Sequence, residues 1–315
     1  MVYTDDDLYR QGSQYRLWSF QREELDNIRH RINLKAIAKL RKELAEQDVD
    51  SGVEFLNAEE EYDLVTYYCG KAQDLAGVYK LPSHIKATAI AYIKRFYLKY
   101  SVMDYHPKNI MYTCLFLATK AENHFISIDK FAEPLPKVTP ESILELEFTV
   151  AQALSFTLLI HHAFNAIHGY FLDIQTLFSD RIDQIGSAHD SARKLVNDSL
   201  FSDAVLLFTP PQIALAALSM ANDDLINDYL RVKFSNQSIL FEKLSQTINK
   251  IKPYIDDGAE KLKLPKERVM QIDKKLYFCR NPDKLKKRKA NGIESNQQDK
   301  KMKLESSPDT DVNMS

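Results

Sequence analysis

The chain has 315 residues, 44% of them hydrophobic and 27% charged, which is enough to bury one large core or two ordinary ones. Its eight glycines contain no G-x-G, because the closest two are seven residues apart. The sequence therefore argues against Rossmann, P-loop and kinase glycine-rich motifs and against the G-x-S-x-G nucleophile elbow, all of which need closely spaced glycines. A net charge of −2 provides no overall field that would draw the protein to nucleic acid or to an anionic membrane.

The cysteines and the first residues of the chain indicate the cellular compartment in which the protein is expected. Cys69, Cys114 and Cys279 form no C-x-x-C, and any pairing leaves one over, which is typical of a reducing compartment. The chain opens with acidic residues at 5–7 instead of basic and then apolar ones, and no run of 18 apolar residues occurs. We therefore expect an intracellular, soluble protein that contacts no membrane.

Apolar residues recur at helical spacing almost throughout the chain, whereas strand-like alternation is rare. The sequence therefore predicts an all-α protein. A first amphipathic helix is predicted over residues 21–44, with Leu25, Ile32 and Ala36 on its apolar stripe and Trp18 before its start. Residues 48–52 then interrupt the pattern.

The next five helices form a first predicted unit. Asn57 is placed to cap the free amides of the first of these helices, while Glu60 reaches back from the third helical position. Thr139-Pro140 opens a later helix, because proline at the first helical position leaves no hydrogen bond unmade. The helices of this unit are predicted over residues 57–79, 85–100, 107–121, 127–132 and 140–154.

The pattern then repeats. The helix that begins at Pro107 matches the one that begins at Pro210, and the apolar positions that follow agree at a constant offset of 103 residues. A second five-helix unit is predicted over residues 162–172, 187–202, 210–221, 224–232 and 235–251, with a further helix over 266–277. The predicted division of the chain is an N-terminal segment and helix at 1–52, a first unit at 53–158, a second unit at 159–252, a C-terminal helix at 253–280 and a tail at 281–315.

From residue 281 onward the composition becomes basic and polar, which predicts a disordered tail. Two basic clusters separated by ten residues match the bipartite pattern that nuclear import receptors bind, although a merely solubilising terminus is the alternative. The clusters consist of Lys286, Lys287, Arg288 and Lys289, and of Lys300, Lys301 and Lys303. Ser307, which precedes Pro308 in an acidic context, is a candidate site for a proline-directed kinase.

Catalytic and metal sites find little support in the sequence. His161 and His162 are adjacent, so on a helix they point about 100° apart and cannot share one metal as an i, i+4 pair could. No H-E-x-x-H and no EF-hand spacing of oxygen ligands occurs. Paired aspartates at 223–224 and 256–257 are better interpreted as helix-start or loop carboxylates. We expect neither enzymatic activity nor a bound cofactor or metal.

Residues 91–123, with the sequence AYIKRFYLKYSVMDYHPKNIMYTCLFLATKAEN, resemble the first box of the cyclin family, most closely that of the cyclin H group. Residues 13–20, SQYRLWSF, are similar to the Trp-containing N-terminal segment of that group, and residues 206–215, LLFTPPQIAL, resemble its second box. The resemblance covers roughly residues 13 to 280. It implies two tandem five-helix cyclin boxes, flanked by an N-terminal and a C-terminal helix.

The resemblance also implies which residues bind a partner. In cyclins a lysine after the first box helix and a glutamate after the third contact a cyclin-dependent kinase. Lys80 matches the lysine, whereas Asn123 stands where the glutamate is usual and Glu122 comes one position early. Phe131 matches an aromatic residue that packs on the kinase. From the residues alone, an ordinary solvated lysine, a helix-end carboxylate and a core aromatic are the alternatives for Lys80, Glu122 and Phe131.

The function implied is regulatory. The expected partners are the catalytic subunit of the kinase that activates cyclin-dependent kinases, a RING-finger assembly factor, and transcription factor TFIIH in the nucleus. Such a complex phosphorylates kinase activation loops and the C-terminal repeats of RNA polymerase II. Another transcriptional cyclin, of the C, K or T type, and a nucleic-acid-binding factor of the TFIIB type remain alternatives, as does a generic helical scaffold. The near-neutral charge disfavours the nucleic-acid-binding alternative.

Overall fold

A computed structural model describes residues 9–46, 53–281 and 284, and these residues form α-helices and one 3-10 turn but no strand. The prediction of an all-α fold built from two repeated units is confirmed. The predicted disorder of the tail concerns residues that lie almost entirely outside this range. Before the units, the described residues include α1 at Ser13–Trp18 and α2 at Arg22–Glu46.

The first unit, as we call helices α3 to α7, begins with the predicted cap. The backbone N–H of Glu60 donates to Asn57 Oδ1 at 2.8 Å, and the N–H of Asn57 donates to Glu60 Oε2 at 2.9 Å. Helix α4 is the centre of this unit, because Tyr92, Ile93 and Phe96 on it are completely buried. The five helices are α3 at Ala58–Val78, α4 at Ser83–Phe96, α5 at Pro107–Ala121, α6 at Ile128–Ala132 and α7 at Pro140–Ala153.

The second unit, helices α8 to α13, follows the predicted order with one short helix added. Its central helix begins at Pro210, as α5 begins at Pro107, and both prolines occupy the first helical position. The helices are α8 at Ala163–Leu177, α9 at Ile182–Ser199, α10 at Ala204–Leu207, α11 at Pro210–Ala221, α12 at Asp223–Lys233 and α13 at Ser238–Lys261. The 3-10 turn at Ser179–Arg181 leads from α8 into α9.

Helix α13 differs from the prediction, which ended it at residue 251. It continues through Pro253 to Lys261, so the boundary proposed at 252 falls inside a helix. A proline within a helix removes one backbone hydrogen bond and crowds the preceding turn. The later turns are nevertheless held in place, because Ile255 is fully buried in the second unit and Gly258 lies directly against the end of α9.

The C-terminal helix, α14 at Lys266–Arg280, packs on the first unit although it follows the second in sequence. Its buried residues Val269, Ile272 and Leu276 join the core of the first unit. Ion pairs fix its register against α3, with Arg268 bound to Asp63 at 2.7 Å and Lys275 to Glu60 at 2.9 Å. Helix α2 packs on the first unit as well, so this unit is contacted by a helix that precedes it and by one that follows the second unit.

Helix α1 attaches to the segment that connects the two units. The Trp18 ring is buried and its Nε1–H donates to Thr157 Oγ1 at 2.8 Å. The Gln14 side chain forms two hydrogen bonds with the backbone of His161, accepting from its N–H at 2.7 Å and donating to its carbonyl oxygen at 3.2 Å. The sequence SQYRLWSF thus positions the connection between the units.

A buried charge cluster joins α2 to both units. Asp203, which follows α9, accepts hydrogen bonds at 2.7 Å from Arg22 and from Arg29 of α2. Burial acts to raise the pKa of Asp203, but the hydrogen bonds and charge of Arg29, with Lys94 and Arg22, lower it to about 2. Lys94 on α4 is itself buried and donates to the carbonyl of Ser202, and burial lowers its pKa to about 8.

Candidate functional site

Lys80 lies at a helix end in a backbone conformation that favours glycine. It follows α3 with φ of 53°, its N–H donates to Gly77 O at 2.9 Å, and the N–H of Leu81 donates to Ala76 O at 2.9 Å. This pair of hydrogen bonds is the Schellman motif, in which glycine is the usual residue. The Lys80 side chain is exposed and forms no ion pair with the described part of the chain. Its ammonium group is therefore available to a partner.

Asn123 occupies the same position at the end of α5. Its φ is 57°, its N–H donates to Lys120 O at 3.2 Å, and the N–H of His124 donates to Thr119 O at 2.8 Å. Asparagine tolerates this conformation better than other non-glycine residues. The side chain of Asn123 is exposed. The two residues matched to the kinase-binding positions, Lys80 and Asn123, thus lie at equivalent corners of the first unit.

Glu122 is directed into the protein instead. Its carboxylate accepts a hydrogen bond at 2.6 Å from the hydroxyl of Thr88, which is completely buried. The same hydroxyl lies 2.7 Å from His162 Nε2. Burial, with the positive charges of His84, Arg95 and His161, lowers the pKa of His162 to about 4, so at pH 7 this ring is neutral. Since Thr88 donates its one proton to Glu122, His162 must carry its own proton on Nε2.

Phe131 is completely buried in the described chain, which favours the alternative of core packing over the predicted contact of its side chain with a kinase. The Phe131 ring stacks on Tyr79 with ring centroids 4.9 Å apart. The Tyr79 hydroxyl donates to the carbonyl oxygen of Phe131. Phe131 also contacts Phe116, and the centroids of these two rings lie 5.3 Å apart. Helix α6 is only five residues long, and these aromatic contacts hold it against Tyr79 at the end of α3 and Phe116 of α5. The alternative of core packing is the one that the structure supports.

An exposed aromatic pair lies on the first unit, and the sequence analysis did not single it out. Phe148 on α7 is 68% exposed, Phe156 after the end of α7 is 61% exposed, and their ring centroids lie 6.0 Å apart. Leu144, one turn before Phe148, is also exposed. Large exposed apolar groups in contact mark interaction surfaces. We call Leu144, Phe148 and Phe156 the α7 patch.

The α7 patch carries a sequence signal that could have been used. Leu144 and Phe148 are spaced i, i+4, so they share one face of α7, whereas the buried residues Ile143 and Val150 lie on another. Two apolar stripes on one helix predict a helix that is covered on both sides. An ion pair between Lys120 of α5 and Glu147 of α7 joins the two helices. The Lys120 ammonium also lies 4.9 Å from the centroid of the Phe116 ring.

Several other predictions concern features that the structure does not place. The basic clusters at 286–289 and 300–303, with Lys286 and Lys303 at their ends, and the candidate phosphorylation site Ser307 lie outside the described residues. Within the described residues, no group of three or more His, Cys, Asp or Glu side chains is arranged to hold a metal ion. None of the helices there is long and apolar enough to cross a membrane.

Two family models match the chain in succession. The model described as the cyclin N-terminal domain matches residues 73–159, and the model described as the cyclin C-terminal domain matches residues 162–255. The first interval takes in Lys80, Asn123 and the α7 patch.

Known cyclins are similar to most of the chain. Cyclin CCL1 of Saccharomyces cerevisiae is 40% identical over 74% of this chain, which spans 63% of that relative's length. Cyclin mcs2 of Schizosaccharomyces pombe is 36% identical, over 88% of this chain and 86% of its own length. Cyclin-H of Xenopus laevis is 30% identical, over 88% of each chain.

Solved structures agree with these relatives. A chain of the CAK complex of Chaetomium thermophilum, bound to ATP-γ-S, is 31% identical with a TM-score of 0.83, over 94% of this chain and 99% of that one. A chain of the yeast TFIIK complex (Kin28/Ccl1/Tfb3) is 37% identical with a TM-score of 0.65, over 78% of this chain and 100% of that one. With both cyclin domains matched in order and relatives at least 30% identical in three organisms, the chain belongs to the cyclin family, in its cyclin H group.

Proposed function

We propose that this chain is the regulatory subunit of a kinase that activates cyclin-dependent kinases, and that it binds the catalytic subunit through its first unit. The observation that carries the proposal is the likeness over 94% of the chain to a chain of the CAK complex. The α7 patch supports it, because exposed aromatic groups are the side chains that anchor protein interfaces. Lys80 and Asn123 supply polar contacts at the corners of the same unit.

The chain acts on the kinase as an allosteric partner and supplies no catalytic residue. An isolated cyclin-dependent kinase holds its regulatory helix away from the ATP-positioning lysine, and activation requires that helix to move inward. A partner that binds only the inward form shifts this equilibrium by its difference in affinity for the two forms. The interface that does so should bury on the order of 2,000 Å² and be centred on apolar anchors such as Phe148 and Phe156.

The proposal extends to further partners and to the location. The TFIIK complex that contains a similar chain is a Kin28/Ccl1/Tfb3 assembly. By analogy, we assign this chain to a nuclear complex with a cyclin-dependent kinase, a RING-finger assembly factor and TFIIH. Its substrates are then kinase activation loops and the C-terminal repeats of RNA polymerase II. Import through the basic clusters from Lys286 to Lys303 and phosphorylation at Ser307 belong to the same proposal.

Co-expression with candidate kinase subunits tests the proposal, with phosphorylation of a polymerase C-terminal repeat peptide as the measure of activity. The chain should copurify with an activating-type kinase and raise its activity. Phe148→Glu should weaken kinase binding about 30-fold or more, because interface anchors contribute about 2 kcal/mol or more. Lys80→Glu should also weaken binding, while the free energy of unfolding stays within about 0.5 kcal/mol of wild type.

Ile239→Glu is the matched control, because Ile239 on α13 of the second unit is 68% exposed, as is Phe148. It should bind the kinase like the wild-type chain. A chain that pairs with no cyclin-dependent kinase and stimulates none would refute the proposed function. Equal loss of binding in Phe148→Glu and Ile239→Glu would refute the placement of the interface on the first unit.

A further inference from the structure

A cleft lies between the two units where the beginning of α4 and the middle of α9 line the same space. It consists of two adjoining depressions, with volumes of about 480 and about 660 Å³. Both depressions are lined by Ser83 of α4, Phe164 of α8 and Arg193 of α9. We call this space the inter-unit cleft. It is separate from the α7 patch, and neither the family resemblance nor the kinase proposal uses it.

Three cations without an anionic partner line the larger depression. They are Lys86 of α4 and the neighbours Arg193 and Lys194 of α9. None of the three side chains forms an ion pair or a hydrogen bond with the described part of the chain. Lys86 is half-buried, whereas Arg193 and Lys194 are exposed. The half-buried cations Arg29 and Lys275, by contrast, are paired with carboxylates. Burial lowers the pKa of the Lys86 ammonium, so a charge at this place is costly until an anion offsets it.

Further donors converge on the same space. Helix α4, fourteen residues long, begins here without a side-chain cap, because Pro82 precedes it. The backbone N–H groups of Ser83 and His84 therefore have no acceptor within the described residues, and the positive end of the helix dipole lies there. His84, His168 and His189 line the smaller depression beside it.

Two carboxylates also line the larger depression, and they limit what the cleft can bind. Asp190 is 82% exposed on its side chain and lies 3.3 Å from His189 Nδ1. Burial raises the pKa of Asp198, and the neighbouring Asn197 side chain opposes that rise. These two carboxylates lie about one helical turn to either side of Arg193 and Lys194 on α9. They repel any anion in the cleft, but a single phosphate brings one anionic group near them, whereas a nucleic-acid strand brings several.

We propose that the inter-unit cleft binds a phosphoserine or phosphothreonine side chain of a protein segment. Arg193 and Lys194 pair with the phosphate oxygens, Lys86 adds charge from the opposite wall, and the free N–H groups at the start of α4 donate to the same anion. The ligand is thus a phosphorylated protein rather than a nucleotide, which agrees with the lack of any glycine-rich phosphate loop. Through this cleft, the protein selects partners or substrates that a kinase has already modified.

Binding of a peptide library tests the proposal. Each fluorescein-labelled short peptide carries one central phosphoserine among randomised residues, and a second library is identical but unphosphorylated. The purified full-length chain should bind the phosphorylated library about tenfold more tightly. Arg193→Glu combined with Lys194→Glu should remove that difference. Lys243→Glu combined with Lys250→Glu makes the same charge change on exposed positions of α13 and should leave it unchanged.

Two further measurements secure the interpretation. Lys86→Met nearly keeps the volume of the side chain but removes its charge, so it should weaken phosphopeptide binding. This variant tests the cleft independently of whether the double variant on α9 folds. A fluorescein-labelled single-stranded RNA serves as the competing probe. The proposal is overturned if the two peptide libraries bind equally, or if the Arg193/Lys194 and Lys86 variants bind phosphopeptide like the wild type. It is also overturned if RNA binds through these residues and phosphopeptide does not. Kinase binding through Phe148 is measured separately, so failure here leaves the proposed function untouched.

Discussion

The two units repeat one helix order but fill their cores in different ways. The first unit packs large aromatic side chains, with Tyr92, Phe96 and Phe131 completely buried, and it recruits apolar residues from α2 and α14. The second unit packs small residues on its central helix, where Ala214, Ala216 and Ala217 are completely buried. The first core is therefore sensitive to lost volume, and the second is sensitive to added volume.

This difference bears on how the units are used. A unit against which α2 and α14 both pack provides a rigid surface, which suits a partner that has to hold a kinase helix in one position. The second unit relies on close approach between its own helices and leaves apolar residues such as Val232 and Ile239 exposed. Substitutions that remove volume from the first core or add it to the second test this contrast.

Phe131→Ala should have the largest effect. Removing a completely buried aromatic ring that stacks on Tyr79 is expected to lower the free energy of unfolding by about 3 to 5 kcal/mol. Urea unfolding of the purified chain measures it. Phe131→Leu retains most of the volume and should cost less than about 2 kcal/mol. If Phe131→Ala unfolded like the wild type but bound kinase weakly, Phe131 would be a contact residue and the assignment to the core would be wrong.

Gly258→Ala tests the second unit by adding a single methyl group. A Cβ at this position would lie 2.1 Å from the carbonyl oxygen of Asp198, which is backbone and cannot rotate away. The free energy of unfolding should fall by about 1 to 3 kcal/mol, and hydrogen exchange should accelerate in α9 and α13 before it does in the first unit.

Gly186→Ala on α9 is the matched control for that substitution. A Cβ there meets no atom within 4 Å. The same change should raise the free energy of unfolding by about 0.5 to 1 kcal/mol, because alanine loses less backbone entropy than glycine in a helix. If both variants were stabilised, α9 and α13 would pack less closely than described, and the contrast between the two cores would not hold.

His162, at the junction of the units, predicts a dependence on pH. Its pKa in the folded protein is about 4, below the ordinary value of 6.5, because of burial and the nearby charges of His84 and Arg95. The unfolded chain therefore binds a proton that the folded chain excludes, and stability falls as the pH drops below 6.5. Between pH 7 and pH 5.5 the loss from this group is about 1 kcal/mol.

The His162→Gln variant isolates that contribution. Its amide can still donate to Thr88, but it does not titrate, so the slope of unfolding free energy against pH between 5.5 and 7 should decrease. An unchanged slope would mean that His162 is not the group that senses pH at this junction.

The local features of the fold were predictable, and the long-range contacts were not. The cap formed by Asn57 and Glu60 and the helix starts at Pro107 and Pro210 depend on neighbouring residues, and each was confirmed. The prediction ended helix α13 at residue 251, two residues before Pro253, and proline is where local rules end a helix. The contacts that carry it onward, through Ile255 and Gly258, come from packing that the sequence does not reveal.

The same distinction applies to the candidate site. Lys80 and Asn123 were identified because the family resemblance fixes their positions, whereas their shared left-handed conformation is a property of the backbone. Glu122 was placed at a helix end, yet its bond to the buried Thr88 depends on how α4 packs against α5. Phe148 could not be recognised from its spacing alone, because exposed and buried aromatic residues follow the same helical period. The signal that marks Phe148 as exposed is its place on a second apolar stripe of α7, separate from the stripe that is buried.

Lys80→Gly should have the smallest effect on stability and should separate stability from binding. Glycine adopts a φ of 53° without strain, so the free energy of unfolding should rise by about 0.5 kcal/mol, measured by urea unfolding. Kinase affinity should fall, because the ammonium group is lost. Asn123→Gly should gain less stability, since asparagine already tolerates this conformation. If the Lys80→Gly chain were more stable and still bound kinase as tightly as the wild type, Lys80 would not contribute to kinase recognition. The proposed interface would then depend on the α7 patch alone.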